Sequence, residues 1–385
     1  MILSVVIVSY NVKFFLEQCL SSLKKAVEGS SLSGGRTEVF IVDNNSSDGS
    51  MDFLIPLFPS FHFIQNKENN GFAKANNQGL HRCTGDFVLF LNPDTILAED
   101  SLEICISFFR ATHGAGALGL HMIDGAGIYL KESRRGFPSP LVSFYKMSGL
   151  THLFPRSKVF SAYYMGHLHE AAPQAVDVLS GAFMMVRKNV LDKTGGFDEQ
   201  FFMYAEDIDM SWRISQSGYQ NYYLPGTTII HFKGESTRRD HRYVKIFYTA
   251  MELFIKKHFK GASSSLQLFL MRMGVRLRQS LAYIRLPFKN SGGKGNTPLS
   301  VFIKGEQEIQ KKWISTLAEK KIPVSENETG AEEIIFCEGP LQSWKSIIAE
   351  VSKNKSRILY KFHGAGTHAA VGSSSSREQG EVFEL

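Results

Sequence analysis

Three stretches near the start of the chain decide its fold class: LSVVIVS at residues 3–9, EVFIVD at 38–43 and DFVLFLNPD at 86–94. The first two are short apolar runs, as expected for parallel strands that helices cover on both faces. FHFIQN at 61–66 predicts a further strand, while helical spacing follows Asn11, the expected cap of a helix, and recurs at 71–81. Strands and helices that alternate at this pace predict an α/β domain built on an open, Rossmann-like parallel sheet with right-handed crossovers.

The composition agrees with a folded chain in a reducing compartment. The 385 residues are 43% hydrophobic, which is ordinary for a globular protein, and the four cysteines show no C-x-x-C spacing. This pattern argues against a zinc site or a disulfide framework and favours the cytoplasm. The first residues, MILSVVIVSY, lack the basic start and cleavage site of a signal peptide, and their apolar run is too short to span a membrane.

The middle of the chain is less regular. Residues 114–174 are rich in Gly, Pro, His and aromatic residues and show no clear periodicity, which indicates either disorder or a functional loop region. The aromatic content favours the loop region. Order returns with VDVLSGAFMMVRK at 176–188, followed by a loop that enters a helix near residue 206. NYYLPGTTIIHFKGEST at 221–237 predicts strand, turn and strand, and 242–259 predicts another helix. We expect the main domain to cover residues 1–260.

A basic segment, residues 261–290, follows this domain. No acidic residue lies between Glu252 and Glu306, while ten lysines and arginines do, and the partner expected for such a one-sign block is an anionic surface. An apolar stripe with helical spacing comprises Leu266, Phe269, Leu270, Met273, Leu277, Leu281 and Ile284. Two interpretations are open: a helix packed on its own domain, or an amphipathic helix that lies on an anionic membrane.

The last part of the chain predicts a separate small unit. Residues 297–371 repeat a strand-helix-strand-helix-strand pattern, which indicates a small α/β C-terminal module after the linker-like NSGGKGN at 290–296. Residues 372–385 contain SSSSREQGE and predict a disordered tail.

Polar residues end three of the predicted strands: Ser9-Tyr10-Asn11, Asp43-Asn44-Asn45 and Asn92-Pro93-Asp94. Ligands of open α/β sheets bind at the carboxyl ends of the strands, so these residues are candidates for a nucleotide site. One carboxylate there can hydrogen-bond a base or ribose, and another can hold a divalent metal against a diphosphate. Taken singly, Asp43 and Asp94 are also compatible with structural turns.

A second candidate group is YAEDIDMSWR at 204–213, in which Glu206, Asp207 and Asp209 open a predicted helix. An ordinary acidic first turn is one interpretation, because the helix dipole favours negative charge there. Three acids so close together otherwise need a cation or a shared proton, which is a setting that suits a catalytic base. His231, at the end of a predicted strand, is either a packed histidine or a residue on the same rim.

Together these motifs resemble a known family over roughly residues 1–260. VVIVSYN, IVDNNSSDGS, NNGFAKANNQGL, FLNPDT, LSGAFMMVRK, GGFDEQFFMYAEDIDMSWR and IIHFKGEST, in this order, are similar to family 2 glycosyltransferases of the GT-A fold, in their bacterial rhamnosyltransferase-like branch. The resemblance implies a mixed GT-A sheet that binds a nucleotide diphosphate sugar.

The resemblance also implies roles for individual residues. Asp207 matches the family's catalytic base, with Glu206 beside it, while Asp94 and His231 match its metal ligands. Asn92 stands where the family's D-x-D motif has its first aspartate, so it brings no charge to the metal. Gly181 and Asp209 are expected on the acceptor side. The expected donor-binding residues are Ser9, Tyr10, Asp43, Lys74, Asn77 and Asn92.

The predicted function is therefore inverting transfer of a sugar, with rhamnose as the first candidate, to a hydroxyl of a glycan or lipid-linked acceptor. The cofactor is a divalent Mg or Mn ion, and no nucleic acid is expected because no recognised binding motif is present. The expected location is the cytoplasm, at the inner face of the cell membrane. A sugar nucleotidyltransferase and an inactive nucleotide-sugar-binding module are the alternatives.

Overall fold

The computed structural model describes residues 2–139, 141, 142, 145, 148–169, 171–235, 241–259, 273, 276, 280, 300–354, 358–374 and 380–385. Within these residues, nine strands form one mixed sheet and five form a smaller second sheet. The α/β class and the small C-terminal α/β unit are therefore present. Most of the basic segment at 261–290 lies outside the described residues.

The large sheet begins with four parallel strands in the order β3-β2-β1-β4. They are β1 (Leu3–Ser9), β2 (Thr37–Asp43), β3 (His62–Gln65) and β4 (Phe87–Leu91). The sheet continues through β8, β6, β9 and β5, and β7 pairs with β9. These are β5 (Thr95–Ile96), β6 (Ala115–Ile123), β7 (Gln174–Val176), β8 (Phe183–Arg187) and β9 (Gln220–His231).

Strand direction explains where the site forms. β8 runs antiparallel to both β4 and β6, while β9 runs parallel to β6. The carboxyl ends of β1, β2, β4 and β9 therefore meet at one edge of the sheet, together with the start of β8. This arrangement brings Asn92, Gly181 and His231 together although they are far apart in the chain, and Asn92 N–H donates to Ala182 O at 2.9 Å.

Helices cover both faces of this sheet. Alternate β1 residues face opposite cores: Val5 and Ile7 belong to the core beneath α1 (Lys13–Glu28), α2 (Ser50–Leu57) and α4 (Ser101–Ala111). Val6 and Val8 belong to the core beneath α3 (Phe72–Leu80), α6 (Lys188–Thr194) and α7 (Glu206–Gln216). The main domain also contains the short α5 (Leu150–Leu153) and α8 (His241–His258).

The structure corrects the sequence prediction at two strands. β6 crosses the region predicted as loop, 114–174, because its glycines hide the strand pattern. A Cβ on Gly116 would lie 2.7 Å from the Tyr219 Cβ, so close packing requires glycine there. β9 is one twelve-residue strand rather than strand, turn and strand, because a bulge between its pairings at Leu224 and Thr228 absorbs the Pro-Gly dipeptide.

The predicted cap of the first helix is also wrong. Asn11 has a left-handed φ of 53° and does not cap α1; its Oδ1 accepts from Ser47 N–H at 2.7 Å. Asp48 takes this role from the neighbouring loop, since its Oδ2 accepts from Lys13 N–H at 2.9 Å. The sequence predicts a cap from the residue next to the helix, whereas in the structure the capping side chain, Asp48, lies 35 residues away from Lys13 in the chain.

The smaller sheet docks on α1 and completes the core of the main domain. Its strands are β10 (Val301–Lys304), β11 (Glu333–Cys337), β12 (Leu359–His363), β13 (Ala369–Gly372) and β14 (Glu381–Glu384), with helices α9 (Gln307–Glu319) and α10 (Trp344–Lys353). Gln18 Nε2 donates to Thr367 Oγ1 at 2.9 Å and to Ala369 O at 2.8 Å. Trp344 and Phe362 are fully buried in the same apolar cluster as α1.

The predicted disordered tail at 372–385 is wrong in part. Residues 381–384 form β14, which pairs antiparallel with β13 from Ala369 to Gly372. Phe383 packs against the core of the small unit, and Glu381 forms an ion pair of 2.9 Å with the buried Lys361. Residues 381–384 are therefore ordered by contacts with residues far away in the chain, which the mostly polar sequence of the tail does not reveal. Within the described residues, no helix has the length and apolar content needed to cross a membrane.

Candidate functional site

A cavity of about 400 Å³ opens at the carboxyl edge of the large sheet. Seven of the residues predicted for the site line it: Tyr10, Asn92, Asp94, Gly181, Glu206, Asp207 and His231. They come from the ends of β1, β4 and β9, the start of β8 and the start of α7. The acidic motif and the candidate metal ligands therefore face one space.

Asp94 and His231 lie next to each other in this wall. His231 Nε2 lies 3.4 Å from Asp94 Oδ1 and 3.3 Å from Asn92 Nδ2, and both Asp94 and His231 are almost fully buried. Backbone pairing fixes the two residues, because Phe232 N–H donates to Asp94 O at 3.0 Å. His231 Nδ1 and Asn92 Oδ1 are buried without a hydrogen-bond partner.

This pair can serve as part of a metal site. Among the described residues, no group of three or more His, Cys, Asp or Glu is arranged to hold a metal ion. A carboxylate and an imidazole at one sheet edge fit a cation that draws its remaining ligands from a diphosphate and water, as Mg²⁺ commonly does. Buried polar atoms normally have a partner, and Asn92 Oδ1 and His231 Nδ1 have none within the described part of the protein, which fits a cation or its water ligands at this place.

The acidic motif enters α7 through a strained turn. Tyr204 and Ala205 have left-handed φ angles of 71° and 65°, although neither residue is glycine. Each such conformation costs about 1–3 kcal/mol and persists where the surrounding structure holds it, often at functional sites. The turn directs Glu206 and Asp207, the first two residues of α7, toward the cavity.

Asp207 is held on both carboxylate oxygens. Oδ1 accepts from Ile208 N–H at 2.8 Å, and Oδ2 accepts from Gly181 N–H at 3.3 Å and from Arg135 Nη2 at 2.5 Å. Gly181 thus contacts the acidic motif directly, and a Cβ there would lie 3.5 Å from the Asp207 Cβ. This geometry fixes the carboxylate in the cavity wall.

Glu206 has a different environment from its neighbour. Its side chain is buried, and Oε2 has no hydrogen-bond partner. Burial raises the pKa of Glu206, and the Asp207 charge raises it further, to about 8. The two adjacent acids therefore differ, with a neutral Glu206 at pH 7 beside an Asp207 that is paired with a cation.

Asp209 lies away from the cavity. It is fully buried, and its oxygens accept from Arg213 Nε at 2.8 Å and contact His258 Nε2 and Lys257 Nζ at 2.7 Å each. These contacts join α7 to α8. The sequence predicts Asp209 on the acceptor side, whereas these contacts indicate a structural role.

Four predicted donor-binding residues also lie outside the cavity lining. Asp43 Oδ2 accepts from Ser46 N–H at 3.0 Å and shapes the loop after β2, and Ser9 is fully buried beside it at the end of β1. Asn77 Nδ2 donates to Phe197 O at 2.8 Å, and Asn77 Oδ1 accepts from Phe197 N–H at 2.9 Å. The Asn77 amide therefore fixes the loop that contains Phe197. Lys74 is exposed on α3.

Several cavity residues escape the sequence prediction because they come from the irregular middle region. Arg135 is one, and the Gly, Pro and aromatic residues that follow it in the sequence give no specific signal. Glu132 forms an ion pair with Lys233, and both line the cavity, as do Tyr163 and Tyr164. Burial would raise the pKa of Glu132, but the Lys233 ammonium outweighs burial and lowers it. The cavity thus contains two ion pairs in addition to the Asp94–His231 pair.

This chain is similar in sequence to several known proteins. The family model described as Glycosyl transferase family 2 matches residues 4–195. The chain is 30% identical over 250 residues, 62% of its length and 78% of the relative's, to N-acetylglucosaminyl-diphospho-decaprenol L-rhamnosyltransferase of Mycobacterium tuberculosis. It is 31% identical over 175 residues to rhamnosyltransferase WbbL of Escherichia coli, covering 44% of the chain and 61% of that protein.

Among solved structures, the chain is similar to the mannosyltransferase PcManGT from Pyrobaculum calidifontis, whose structure is in complex with GDP-Man and Mn²⁺. The TM-score is 0.48 and the identity is 16%, with 91% of this chain and 84% of that chain covered.

Proposed function

Because the chain belongs to glycosyl transferase family 2, in its rhamnosyltransferase-like branch, we propose that it is an inverting enzyme that moves a sugar from a nucleotide diphosphate donor to an acceptor hydroxyl. That it is a glycosyltransferase follows from the family. The observation that carries the finer proposal is that Asp207 and the Asp94–His231 pair open onto one cavity. A proton acceptor and a diphosphate site must share such a space in a direct displacement.

The donor sugar and the acceptor are proposed from the relatives. Two of them are named as rhamnosyltransferases, and the M. tuberculosis relative is named for a lipid-linked N-acetylglucosaminyl diphosphate acceptor. We infer rhamnose as the donor sugar and a glycan or lipid-linked glycan as the acceptor, with the reaction at the cytoplasmic face of the membrane. The product would serve synthesis of a cell-surface polysaccharide.

The donor end is assigned to the Asp94 side of the cavity. Asp94 and His231 would hold a Mg or Mn ion, whose charge would neutralise the diphosphate leaving group. Tyr10 and Asn44 line the cavity between the ends of β1 and β2, and are placed to contact the nucleotide. Asp43 contributes by holding the loop after β2, since its Oδ1 accepts a hydrogen bond of 2.5 Å from the Ser46 hydroxyl.

The proton-accepting end is assigned to Asp207. Its carboxylate accepts the proton of the acceptor hydroxyl as that oxygen attacks the anomeric carbon from the face opposite the leaving group. One displacement inverts the anomeric configuration, and a single base suffices because no covalent intermediate forms. Glu206, neutral at pH 7, adds no second negative charge beside the base.

Product analysis tests this proposal. The purified chain is incubated with Mn²⁺, a synthetic acceptor that carries N-acetylglucosamine on a short-chain lipid diphosphate, and either dTDP-, UDP- or GDP-linked sugars. NMR of the product should show transfer from dTDP-rhamnose with inverted anomeric configuration. Retained configuration would refute the single displacement, and donor binding without any transfer would favour the inactive-module alternative.

A further inference from the structure

A small loop beside the cavity presents apolar and basic side chains together on its surface. The loop, residues 151–160, includes Leu153, Phe154 and Val159, which are 70%, 46% and 55% exposed. Of the thirteen exposed large apolar side chains in the described part of the chain, these three and Leu141 fall within residues 141–159. Exposed apolar side chains concentrated in one segment mark an interaction surface, whereas scattered ones do not.

The loop is compact, so its exposed residues are presented in a fixed arrangement. Thr151 Oγ1 donates to Phe160 O at 2.8 Å and closes the base of the loop. Phe154 N–H donates to Leu150 O at 2.9 Å, and Ser161 N–H donates to Ser157 O at 3.0 Å. The centroids of the Phe154 and Phe160 rings lie 5.3 Å apart, so the two rings contact each other.

The charge of this region has one sign. Between Glu132 and Glu170 the sequence contains no aspartate or glutamate, but it contains five lysines and arginines. Arg156 and Lys158, on the loop itself, are exposed beside the apolar side chains. Apolar side chains that insert among acyl chains, flanked by cations, fit the interface of an anionic bilayer.

The loop also leads directly into the cavity wall. Tyr163 and Tyr164, which follow it, line the cavity, and Gly136 N–H donates to Tyr163 O at 2.9 Å. The adjoining residue, Arg135, contacts Asp207. A lipid surface at the loop would therefore lie next to the acceptor side of the site.

We propose that the loop at 151–160 docks the enzyme on an anionic phospholipid bilayer, with Leu153, Phe154 and Val159 inserted and Arg156 and Lys158 on the headgroups. The inference deepens the proposed function, on which it rests for the lipid-linked acceptor. It does not depend on the basic segment at 261–290. Each basic residue near the surface strengthens binding, and salt weakens this contribution.

Vesicle sedimentation tests the proposal on the full chain. Vesicles of phosphatidylcholine with phosphatidylglycerol are compared with phosphatidylcholine alone, and no donor is present. The variant Leu153→Glu/Phe154→Glu should bind the anionic vesicles at least roughly tenfold more weakly than the wild type, because it removes two inserting side chains and adds repulsion. Leu341→Glu is the matched control, since Leu341 is 77% exposed on the small C-terminal unit, and its binding should be unchanged.

Charge and depth are tested separately. Arg156→Glu/Lys158→Glu should weaken binding to anionic vesicles and reduce its salt dependence, with little change on neutral vesicles. Phe154→Trp should show fluorescence quenching by brominated lipids above that of the wild-type tryptophans. Wild-type binding retained in the Leu153→Glu/Phe154→Glu variant, or no added quenching at position 154, would overturn the proposal.

Two further outcomes separate this inference from the proposed function. Transfer to a soluble acceptor with no vesicle binding would overturn the docking surface and leave the function intact. Vesicle binding that requires Leu153 and Phe154, without transfer to any acceptor, would support the surface and refute the function. Dimerisation that requires Phe154, in the absence of vesicle binding, would assign the loop to a second copy of the chain and overturn the proposal.

Discussion

Arg135 Nη2 donates a hydrogen bond of 2.5 Å to Oδ2 of Asp207, so the proposed base is paired with a cation inside the cavity wall. The two side chains are only 12% and 14% exposed, which limits screening of the pair by water. The same Nη2 donates to Leu179 O at 3.0 Å, so the guanidinium is itself held by the backbone. Arg135 therefore positions the carboxylate on which the proposed chemistry depends.

Asp207→Asn should abolish most of the transfer while leaving donor binding nearly intact. The substitution keeps the shape but removes the proton acceptor, and general base catalysis is typically worth about 10²–10⁴-fold. Transfer rate and donor affinity are measured together by product assay and calorimetry. More than about a tenth of the wild-type rate would exclude Asp207 as the base, and a parallel loss of donor affinity would move it to the donor site.

The paired control for this variant is Asp209→Asn. Because Asp209 joins Arg213 to His258, its replacement should lower the thermal midpoint of unfolding and leave the rate of the folded enzyme close to that of the wild type. A rate loss in Asp209→Asn as large as in Asp207→Asn, without loss of stability, would contradict the structural role.

Arg135→Ala should lower kcat by about 10²-fold with little change in donor affinity, because it frees the Asp207 carboxylate from its fixed orientation. The kcat of Arg135→Lys should lie between that of Arg135→Ala and that of the wild type, since lysine keeps the positive charge but lacks the planar guanidinium whose Nη2 contacts both Asp207 and Leu179. The exposed Arg110→Ala serves as control. Equal rates in Arg135→Ala and the wild type would show that the pair has no positioning role.

Turnover should require a divalent cation that depends on Asp94 and His231. Excess EDTA should stop transfer and Mn²⁺ should restore it, whereas Asp94→Ala should lose transfer in either condition. His231→Ala should weaken binding of Mn²⁺ in the presence of a nucleoside diphosphate by about 10–100-fold, as measured by calorimetry. Undiminished transfer in EDTA would refute the metal role, and unchanged Mn²⁺ binding in both variants would place the metal elsewhere.

Stability should fall as pH rises between about 4.5 and 8, in part because of Glu206. Burial and the Asp207 charge raise the folded-state pKa of Glu206 to about 8 from an ordinary value of 4.5. Over this range the folded state therefore binds more protons than the unfolded state, so the free energy of unfolding decreases with pH. In Glu206→Gln the free energy of unfolding should depend less on pH. The stability of this variant relative to the wild type should therefore be higher at pH 8 than at pH 5.

Denaturant unfolding at pH 5 and pH 8 gives the measurement for this prediction. Glu308→Gln is the control, because the Glu308 side chain is 86% exposed and should leave the pH dependence as it is in the wild type. An unchanged slope in Glu206→Gln would mean that Glu206 ionises near its ordinary value in the folded enzyme.

Glu99→Ala should destabilise the docking of the small C-terminal unit. Glu99 accepts from Trp344 N–H at 2.7 Å and from Lys345 N–H at 2.9 Å, so a residue of the main domain caps α10. Loss of such a cap costs about 1–2 kcal/mol. Denaturant unfolding should show this loss, with Glu308→Ala again unchanged. A midpoint equal to that of the wild type would indicate that water replaces the cap without cost.

Several strands and helices, and the site motifs beside them, can be predicted from the local sequence pattern. β1 coincides with the predicted run at residues 3–9, and α3 and α8 lie within about a residue of their predicted bounds. β6 is missed because Gly116 and Gly119 interrupt its strand pattern, although close packing against Tyr219 and Leu179 is what requires glycine. Close packing between residues far apart in the chain produces no periodic pattern in the sequence, so it cannot be predicted from the sequence.

The sequence by itself determined the α/β class, the family and the positions of the acids, because continuous apolar runs and ordered motifs depend only on neighbouring residues. Only the tertiary structure decided which partners each acid has. Arg135 reaches Asp207 across 72 residues, while His258 holds Asp209 from 49 residues away. The partner of a carboxylate sets its electrostatic environment, and that partner comes from a distant part of the chain because the packing of strands and helices brings the two together.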